Sequence, residues 1–157
     1  MDSYQTIEKE SQGEYKENRS RFIAFAFPIN NQEEVKPLLE KIKKEYFDAR
    51  HHCYAYRIIE KDKEVKRCFD DREPSHTAGD RIYAAIESNN LNNILIIVVR
   101  YFGGVLLGAS NLSRAYRQAA IEAINNANII TNKIQEEVVF SYSYTDTAKI
   151  NRFFKEQ

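Results

Sequence analysis

The sequence lacks an excess of charge of either sign and any long apolar run. Its 23 lysine and arginine residues balance 23 aspartate and glutamate residues, so the formal net charge is zero. A neutral chain has no overall attraction to nucleic acid or membranes, so such binding must come from a local patch. The longest apolar run, at 94–99, is far shorter than the roughly 20 residues of a membrane-spanning helix. The polar N-terminal segment lacks the apolar core of a signal peptide, so we expect no membrane partner.

Cysteine, glycine and proline are scarce, and tryptophan is absent. The only cysteines are Cys53 and Cys68. A chain of 157 residues with 43% apolar residues can bury the core of one ordinary domain without disulfides. We therefore expect reduced thiols and a cytoplasmic location, although the spacing leaves a single disulfide open. No internal repeat or low-complexity stretch occurs.

The first third of the chain predicts two strands and a helix. Aromatic and β-branched residues predict strands over 4–7 and 22–29, and the sequence "SQG" at 11–13 predicts a turn between them. Apolar residues at helical spacing follow, and they predict a helix that begins near Glu34. Asn31 and Glu34 have the spacing of a capping box, and Pro37 is tolerated only in the first turn.

The rest of the chain predicts a hairpin, two helices around a buried strand, and a final strand and helix. The hairpin strands are predicted at about 52–60 and 65–69, the first helix ends at 89–90, the buried strand covers 93–102, and the second helix runs from about 110 to 126. The buried strand is apolar throughout, which indicates cover on both faces. Residues 137–145 alternate like a strand, and Asp146 is placed to cap a last helix. This order predicts an α+β fold, a mixed sheet with helices packed on it, with a boundary near 128–137.

The segment "DREPSHTAGDR" at 71–81 concentrates charges, hydroxyls and an imidazole before a predicted helix. In one interpretation Ser75 and Thr77 cap that helix, while Pro74 stiffens its entry. In the other, the free N–H groups and the helix dipole form an anion site. Glu73 argues against a bare phosphate pocket, because its carboxylate repels an anion unless an arginine or a metal offsets it.

The segment "VVRYFGGVLLGASNLSRAY" at 98–116 joins a buried strand to a helix through a glycine-rich loop. Its glycines permit positive φ angles and a close approach of the backbone to a ligand. No lysine and serine or threonine follow as in a P-loop, and the dinucleotide-binding fingerprint is also absent. A structural turn is therefore as good an interpretation as a ligand site. If the loops 70–79 and 100–111 meet in space, they form one cleft lined by Arg100, Asn111 and Arg114.

Two histidines and a cysteine begin the strand that follows the first helix. Strand alternation puts His51 and Cys53 on one face and His52 on the other, so His52 and Cys53 form a poor nucleophilic pair. A zinc site needs more ligands than these three residues and His76 supply. We expect Cys53 to be a core residue, and we expect no metal and no cofactor.

Four motifs of this chain occur in the order found in the IMPACT family, whose bacterial members are called YigZ. They are "SRFIA" at 20–24, "HHCYAYR" at 51–57, "DREPSHTAG" at 71–79 and "VVRYFGGVLLGASNLSRAY" at 98–116. The resemblance covers about residues 4–127 and is specific. Arg72 and His76 stand where the family pattern has glycines, and residues 109–111 replace a run with two glycines.

The resemblance implies a fold like the second domain of the fifth small-subunit ribosomal protein, with a left-handed β-α-β crossover. Bacterial relatives add a ferredoxin-like C-terminal domain. We therefore expect one domain at 1–130 and a partial ferredoxin-like segment at 131–157. A lone strand and helix cannot bury their own apolar face, so we expect a truncated chain, or a tail that docks on the main domain or on a neighbouring chain.

The resemblance also implies a function in translation. The family's eukaryotic member acts in translational control by competing for a ribosome-associated activator of an amino-acid-starvation kinase, and nucleic-acid or ribosome binding is the usual proposal for bacterial members. We therefore expect a non-catalytic binding protein whose partner is RNA, the ribosome, a translation-associated protein or a phosphorylated ligand. The oligomeric state is left open.

The expected ligand site is the cleft between the two loops. Arg100 and Arg114 would hold a phosphate or carboxylate, and Asp70 and Glu73 would hold the arginines or bind a metal with the phosphate. The full set of expected ligand-binding residues is Asp70, Ser75, Thr77, Gly79, Arg100, Tyr101, Gly103, Gly104, Gly108, Asn111 and Arg114.

Two rival functions stay open. In the first, the protein is an enzyme acting on a small phosphorylated substrate, with Glu73 as general base, His51 as its partner and Arg100 as the charge stabiliser. In the second, it is a protein-interaction module that does not use the cleft and binds through the helix at 34–46.

Overall fold

The computed structural model describes residues 3–134, which form seven β-strands and three α-helices. In chain order these elements are β1 (Ser3–Ile7), β2 (Ser11–Glu17), β3 (Ser20–Pro28), α1 (Val35–Glu45), β4 (His51–Glu60), β5 (Lys63–Phe69), α2 (Gly79–Ser88), β6 (Ile94–Tyr101), α3 (Gly108–Asn125) and β7 (Ile129–Lys133). A 3₁₀ turn, Gln32–Glu34, leads into α1. The predicted α+β class is confirmed. In the described part of the chain, no helix combines the length and the apolarity needed to cross a membrane.

Five strands form the main sheet in the order β2-β3-β6-β4-β5. Every neighbouring pair is antiparallel, whereas the sequence predicted a mixed sheet. The strand β6 lies between β3 and β4 and runs opposite to both. The strands β3 and β4 therefore run in the same direction but do not pair with each other. β1 and β7 form a separate antiparallel pair.

The central strand β6 is covered on both faces, as its unbroken apolar sequence predicted. Ile94, Ile96 and Val98 lie in a core shared with residues of α2 and α3. The alternate residues Leu95, Ile97 and Val99 lie in a second core with residues of α1. Because successive side chains of a strand point to opposite faces, one strand supplies both cores.

The helix α1 begins where its sequence predicted. The carboxylate of Glu34 accepts a hydrogen bond from the backbone N–H of Asn31 at 3.1 Å, as in the predicted capping box. Pro37 is the third residue of α1, where its missing N–H costs no hydrogen bond. The helix α3 begins at Gly108, slightly before the start predicted near Ser110 and Asn111.

The predicted turn at 11–13 is wrong, because these residues belong to β2. Gly13 marks a close approach rather than a reversal of the chain. A Cβ at this position would overlap the backbone N of Ala123, so the absence of a side chain lets β2 lie directly against α3.

The segment at 128–137 contains a strand that the sequence analysis did not predict. Residues of β7 pair with β1, and the register joins Ile7 to Ile129. The predicted strand at 137–145, the helix capped by Asp146 and the ferredoxin-like segment beyond 134 lie outside the described residues.

Candidate functional site

The sheet register brings three residues of the quoted motifs into one row. Arg100 of β6 pairs with Phe22 of β3 on one side and with His51 of β4 on the other. Arg100 lies near the C-terminal end of β6. The segments 70–79 and 100–111 begin at this end of the sheet, after β5 and β6. The expectation that these two segments meet in space is confirmed by a hydrogen bond from Arg100 to Glu73.

The two segments enclose a cleft of about 380 Å³. Its polar lining comes from Arg50, His51, Glu73 and Arg100. Its apolar lining comes from Pro74, Phe102, Leu106, Leu107, Ala109 and Leu112, and Gly108 completes it. The volume falls within the range of about 300–1,000 Å³ that is usual for small-ligand sites.

A buried ion pair forms the floor of this cleft. Arg100 is 6% exposed and Glu73 is 7% exposed. Nη1 of Arg100 donates to both carboxylate oxygens of Glu73 at 3.0 Å. The hydroxyl of Tyr116 also donates to Glu73 Oε2. The expectation that Glu73 holds an arginine is therefore confirmed for Arg100.

Arg100 retains unused donors at this position. Nε has no hydrogen-bond partner among the described residues, and Nη2 makes no hydrogen bond to them. The guanidinium carbon lies 5.5 Å from the ring of Phe22 and 5.9 Å from that of Phe102. A buried guanidinium with free N–H groups beside a cleft can bind an acceptor on a ligand.

His51 joins the loop 70–79 to the sheet. Its Nδ1 lies 2.8 Å from the backbone oxygen of Asp71, so this nitrogen carries the proton that makes the hydrogen bond. The opposite nitrogen, Nε2, lies 3.5 Å from Oε1 of Glu73. The backbone N–H of His52 donates to the carboxylate of Asp71 at 2.7 Å, which fixes the loop at a second point.

Asp70 caps α2, whereas one of the two interpretations in the sequence analysis gave this role to Ser75 and Thr77. Its Oδ1 accepts hydrogen bonds from the backbone N–H of Ala78 at 3.2 Å and of Gly79 at 2.8 Å. The Thr77 hydroxyl instead donates to the backbone oxygen of Pro74, and Ser75 is exposed. Because Asp70 occupies the first N–H groups of α2, this helix end is not free to bind an anion. Within residues 3–134, Asp70 forms no hydrogen bond or ion pair with an arginine and instead accepts from backbone N–H groups, contrary to one of its expected roles.

The glycines of the second loop have different roles. The N–H of Gly103 donates to the Ser20 hydroxyl at 3.2 Å, and a Cβ there would overlap the backbone of Arg19. Gly103 and Gly79 therefore approach the protein's own backbone rather than a ligand. Gly104 and Gly108 have φ angles of +87° and +77°, and of these two Gly108 lines the cleft.

Of the eleven expected ligand-binding residues, Arg100 and Gly108 line the cleft and the other nine do not. Arg114 is exposed on α3 and is hydrogen-bonded to Glu17 and Asn111. The hydroxyl of Tyr101 donates to Asp48 at 2.8 Å, and its side chain packs with the core on the α1 side of the sheet. The sequence analysis expected Arg100 and Arg114 in the cleft, but of these two only Arg100 lies there. Arg114 points from α3 toward Glu17 at the β2–β3 hairpin.

The sequence analysis missed two residues at the mouth of the cleft. The guanidinium carbon of Arg50 lies 5.0 Å from the ring of Phe102, and both residues line the cleft. Phe102 is 37% exposed. Two signals in the sequence could have identified them. Phe102 directly precedes the glycines of the second loop, and Arg50 directly precedes the motif at 51–57.

Cys53 is a core residue, as expected. It is fully buried, and its thiol donates to the backbone oxygen of Asp70 at 3.2 Å. Burial raises the pKa of the Cys53 thiol, so the thiol stays protonated and is a weak nucleophile. Cys68 is also free. No group of three or more histidine, cysteine or acidic side chains within residues 3–134 is arranged to hold a metal ion.

Comparisons with known proteins give a consistent family. The Impact N-terminal domain family matches residues 18–124. An IMPACT family member of Bacillus subtilis, YvyE, is 33% identical over 156 residues, which is 99% of this chain and 71% of that protein. Protein IMPACT of Mus musculus is 38% identical over 96 residues, covering 59% of this chain and 30% of that protein. A crystal structure described as that of a hypothetical protein superimposes with a TM-score of 0.84 at 25% identity, over 99% of this chain and 76% of that one.

Proposed function

Because the chain belongs to the Impact N-terminal domain family, we propose that it is a non-catalytic binding protein that acts in translation or its regulation. Its ligand is RNA, free or within the ribosome, and binds at the cleft between segments 70–79 and 100–111. The cellular compartment is the cytoplasm. The resemblance to a family whose eukaryotic member acts in translational control supports this role.

The observation that carries this proposal is the distribution of charge at the cleft. The whole chain is neutral, so affinity for RNA requires a local basic patch. Arg50 lines the mouth, and the exposed Arg72 lies beside it, where its Nη2 donates to the backbone oxygen of Arg50 at 3.2 Å and its Nε lies 3.9 Å from Asp71. Exposed arginines at the rim of a cleft that contains a buried arginine are suited to a phosphate backbone passing over it.

The arrangement of Glu73 favours binding over catalysis. A general base needs a free lone pair that points at the substrate. Both oxygens of Glu73 already accept hydrogen bonds from Arg100, and one also accepts from Tyr116. The carboxylate therefore maintains the position of Arg100 and is poorly placed to remove a proton.

A salt series with two matched arginine variants tests the proposal. Arg50→Ala removes a charge at the mouth, and we expect RNA and ribosome affinity to fall about tenfold and the salt slope to decrease by about 1. The measurements are fluorescence anisotropy with single-stranded RNA and co-sedimentation with ribosomes. Arg50 is preferable to Arg100, because truncating Arg100 leaves the buried Glu73 unpaired at a cost of about 3–5 kcal/mol.

Arg114→Ala is the control, because Arg114 is also an exposed arginine but lies away from the cleft. It should leave RNA and ribosome binding nearly unchanged. Equal losses in both variants would mean that binding depends on overall charge and not on the cleft. Binding that ignores both variants but responds to substitutions on the exposed face of α1 would favour the protein-interaction module.

A further inference from the structure

The cleft combines features that a phosphate group alone does not need. Its walls are apolar, with Pro74, Leu106, Leu107 and Leu112 around the ring of Phe102. Leu106 is 87% exposed, although leucine is a residue that proteins usually bury. An exposed apolar wall beside an exposed aromatic ring is suited to the flat, weakly hydrated face of a ligand.

The charges at the floor cancel each other. Arg100 carries one positive charge, and Glu73 carries one negative charge 3.0 Å away. A phosphate entering this floor would lose its hydration without a net positive charge to replace it, and Glu73 would repel it. His51 and Tyr116 are the other titratable groups facing Glu73: Nδ1 of His51 is already bonded to Asp71, and the hydroxyl of Tyr116 donates to Glu73. The floor therefore favours an uncharged ligand.

The floor nevertheless offers hydrogen bonds that the protein does not use. Arg100 is more than nine-tenths buried, yet its Nε and Nη2 have no hydrogen-bond partner within the described chain; Nε is itself buried, so Nη2 is the donor that a ligand can reach. Both oxygens of Glu73 are occupied by Arg100 and Tyr116, so the hydrogen bonds on offer are donated by Arg100. An uncharged ligand with carbonyl or ring-nitrogen acceptors on one edge matches this donor.

From these features we propose that the cleft binds one unstacked nucleobase of a single-stranded RNA segment. The base stacks against Phe102 between the apolar walls, and its polar edge faces Arg100 and Glu73. The phosphates on either side remain at the mouth, next to Arg50 and Arg72. This inference rests on the proposed function, and it adds that the base, not the phosphate, enters the cleft.

The stacking arrangement has support at the mouth. The guanidinium carbons of Arg50 and Arg100 lie 5.0 Å and 5.9 Å from the ring of Phe102, so this ring has two guanidinium neighbours and a partly exposed surface. Recognition of single-stranded RNA commonly uses an aromatic ring and an arginine side chain for stacking, with basic groups along the backbone. The positive charge at the mouth complements the phosphates of a nucleotide, and the apolar surface inside complements its base.

The test compares RNA with a chain that has the same charge but no bases. The probes are fluorescent single-stranded RNAs of about twelve nucleotides and an abasic ribose-phosphate chain of equal length. We expect the protein to bind the RNA at least tenfold more tightly than the abasic chain, because base stacking adds to backbone attraction. Measurements at two salt concentrations separate the two contributions.

Two pairs of variants then locate the effect. Ala109 is exposed and lines the cleft, so Ala109→Trp should fill it and abolish the preference for RNA, whereas Ser110→Trp on the next exposed residue should retain it. Phe102→Ala should reduce RNA affinity about tenfold, and Phe102→Trp should restore it because it keeps an aromatic face. All three positions changed are exposed, and thermal unfolding checks that each of the four variants is folded.

The outcomes separate this inference from the proposed function. If RNA and the abasic chain bind equally well, and Arg50→Ala weakens both, the base-binding inference is wrong while RNA binding stands. The same conclusion follows if Ala109→Trp and Ser110→Trp behave alike. If neither RNA nor ribosomes bind at any salt concentration, the proposed function fails and the inference fails with it.

Discussion

At the scale of single residues, the central feature of the cleft is the buried ion pair between Arg100 and Glu73. Two buried charges are stabilising only when their hydrogen-bonding groups are well satisfied. Glu73 meets this condition through Arg100 and Tyr116, but Arg100 has donors to spare. The pair itself therefore carries no net charge and can still donate a hydrogen bond.

The two residues that replace family glycines adopt a glycine-like backbone. Arg72 and His76 have φ angles of 68° and 66°. Their side chains are 79% and 78% exposed, so they extend into solvent and leave the cleft open. The sequence analysis raised these departures as the main difference from the family pattern, and the structure shows that the loop keeps the backbone conformation that glycine favours.

A comparison of two substitutions at Arg72 tests this backbone strain. Arg72→Gly and Arg72→Ala remove the same side-chain contacts, but only glycine adopts a positive φ without strain. Relief of about 1–2 kcal/mol of strain is partly offset by the greater flexibility of glycine in the unfolded chain. We expect Arg72→Gly to be about 0.5–1 kcal/mol more stable than Arg72→Ala in urea unfolding. Equal stability of the two variants would show that the positive φ carries no strain.

At the scale of secondary-structure elements, the contact between β2 and α3 holds an edge of the sheet. The N-terminal half of β2 lies against the C-terminal half of α3, where the Ser11 hydroxyl donates to the backbone oxygen of Ala123 at 2.8 Å. Gly13 makes this approach possible because a Cβ there would overlap backbone atoms of α3. Backbone atoms in a helix cannot move aside as a flexible side chain can.

Gly13→Ala should therefore destabilise the protein substantially. We expect a loss of about 1–3 kcal/mol, because one extra methyl group forces β2 away from α3. The measurement is the melting temperature, which falls by about 2–4 °C per kcal/mol for a chain of this size.

Glu14→Ala on the neighbouring residue is the control for that substitution. It removes only a largely exposed ion pair with Arg21, which is worth at most about 1 kcal/mol. A Gly13→Ala variant as stable as Glu14→Ala would contradict the close approach.

At the scale of the whole molecule, two thiols and a tyrosine hydroxyl in or near the core keep their protons to higher pH in the folded protein than in the unfolded chain. Burial is the main cause that raises the pKa of the Cys53 thiol and of the Tyr116 hydroxyl well above their ordinary values. Burial also raises the pKa of Cys68 to about 11. The unfolded chain releases these protons at lower pH than the folded chain, so folding is favoured most below their ordinary pKa values of 9.0 and 10.0.

The protein should therefore lose stability in alkali. As the pH rises above about 9, the free energy of unfolding should fall by about 1.4 kcal/mol per pH unit for each group that keeps its proton only when folded. Urea unfolding at a series of pH values between 7 and about 11 measures this slope.

Tyr116→Phe provides the internal comparison for the alkaline slope. The variant lacks the hydrogen bond to Glu73, so it should be about 1.5–3 kcal/mol less stable near neutral pH. Its stability should then fall less steeply above pH 10 or so, because one retained proton is missing. Parallel slopes for the two proteins would contradict the assigned role of Tyr116.

The sequence by itself determined the features that depend on neighbouring residues. Periodicity identified the α+β class, the helix that begins near Glu34 and the two-faced burial of β6, because spacing along a helix or strand decides which side chains share a face. The same alternation assigned Cys53 to the core. The motifs identified loops 70–79 and 100–111 as the candidate loops, but their meeting was an assumption that the tertiary structure decided.

The tertiary structure decided everything that depends on residues far apart in the chain. It paired β7 with β1, and it assigned the α2 cap to Asp70 instead of Ser75 and Thr77. It also directed Arg114 away from the cleft and brought Arg50 onto Phe102. Local spacing carries no information on these contacts, because strand order and helix rotation determine which distant side chains meet.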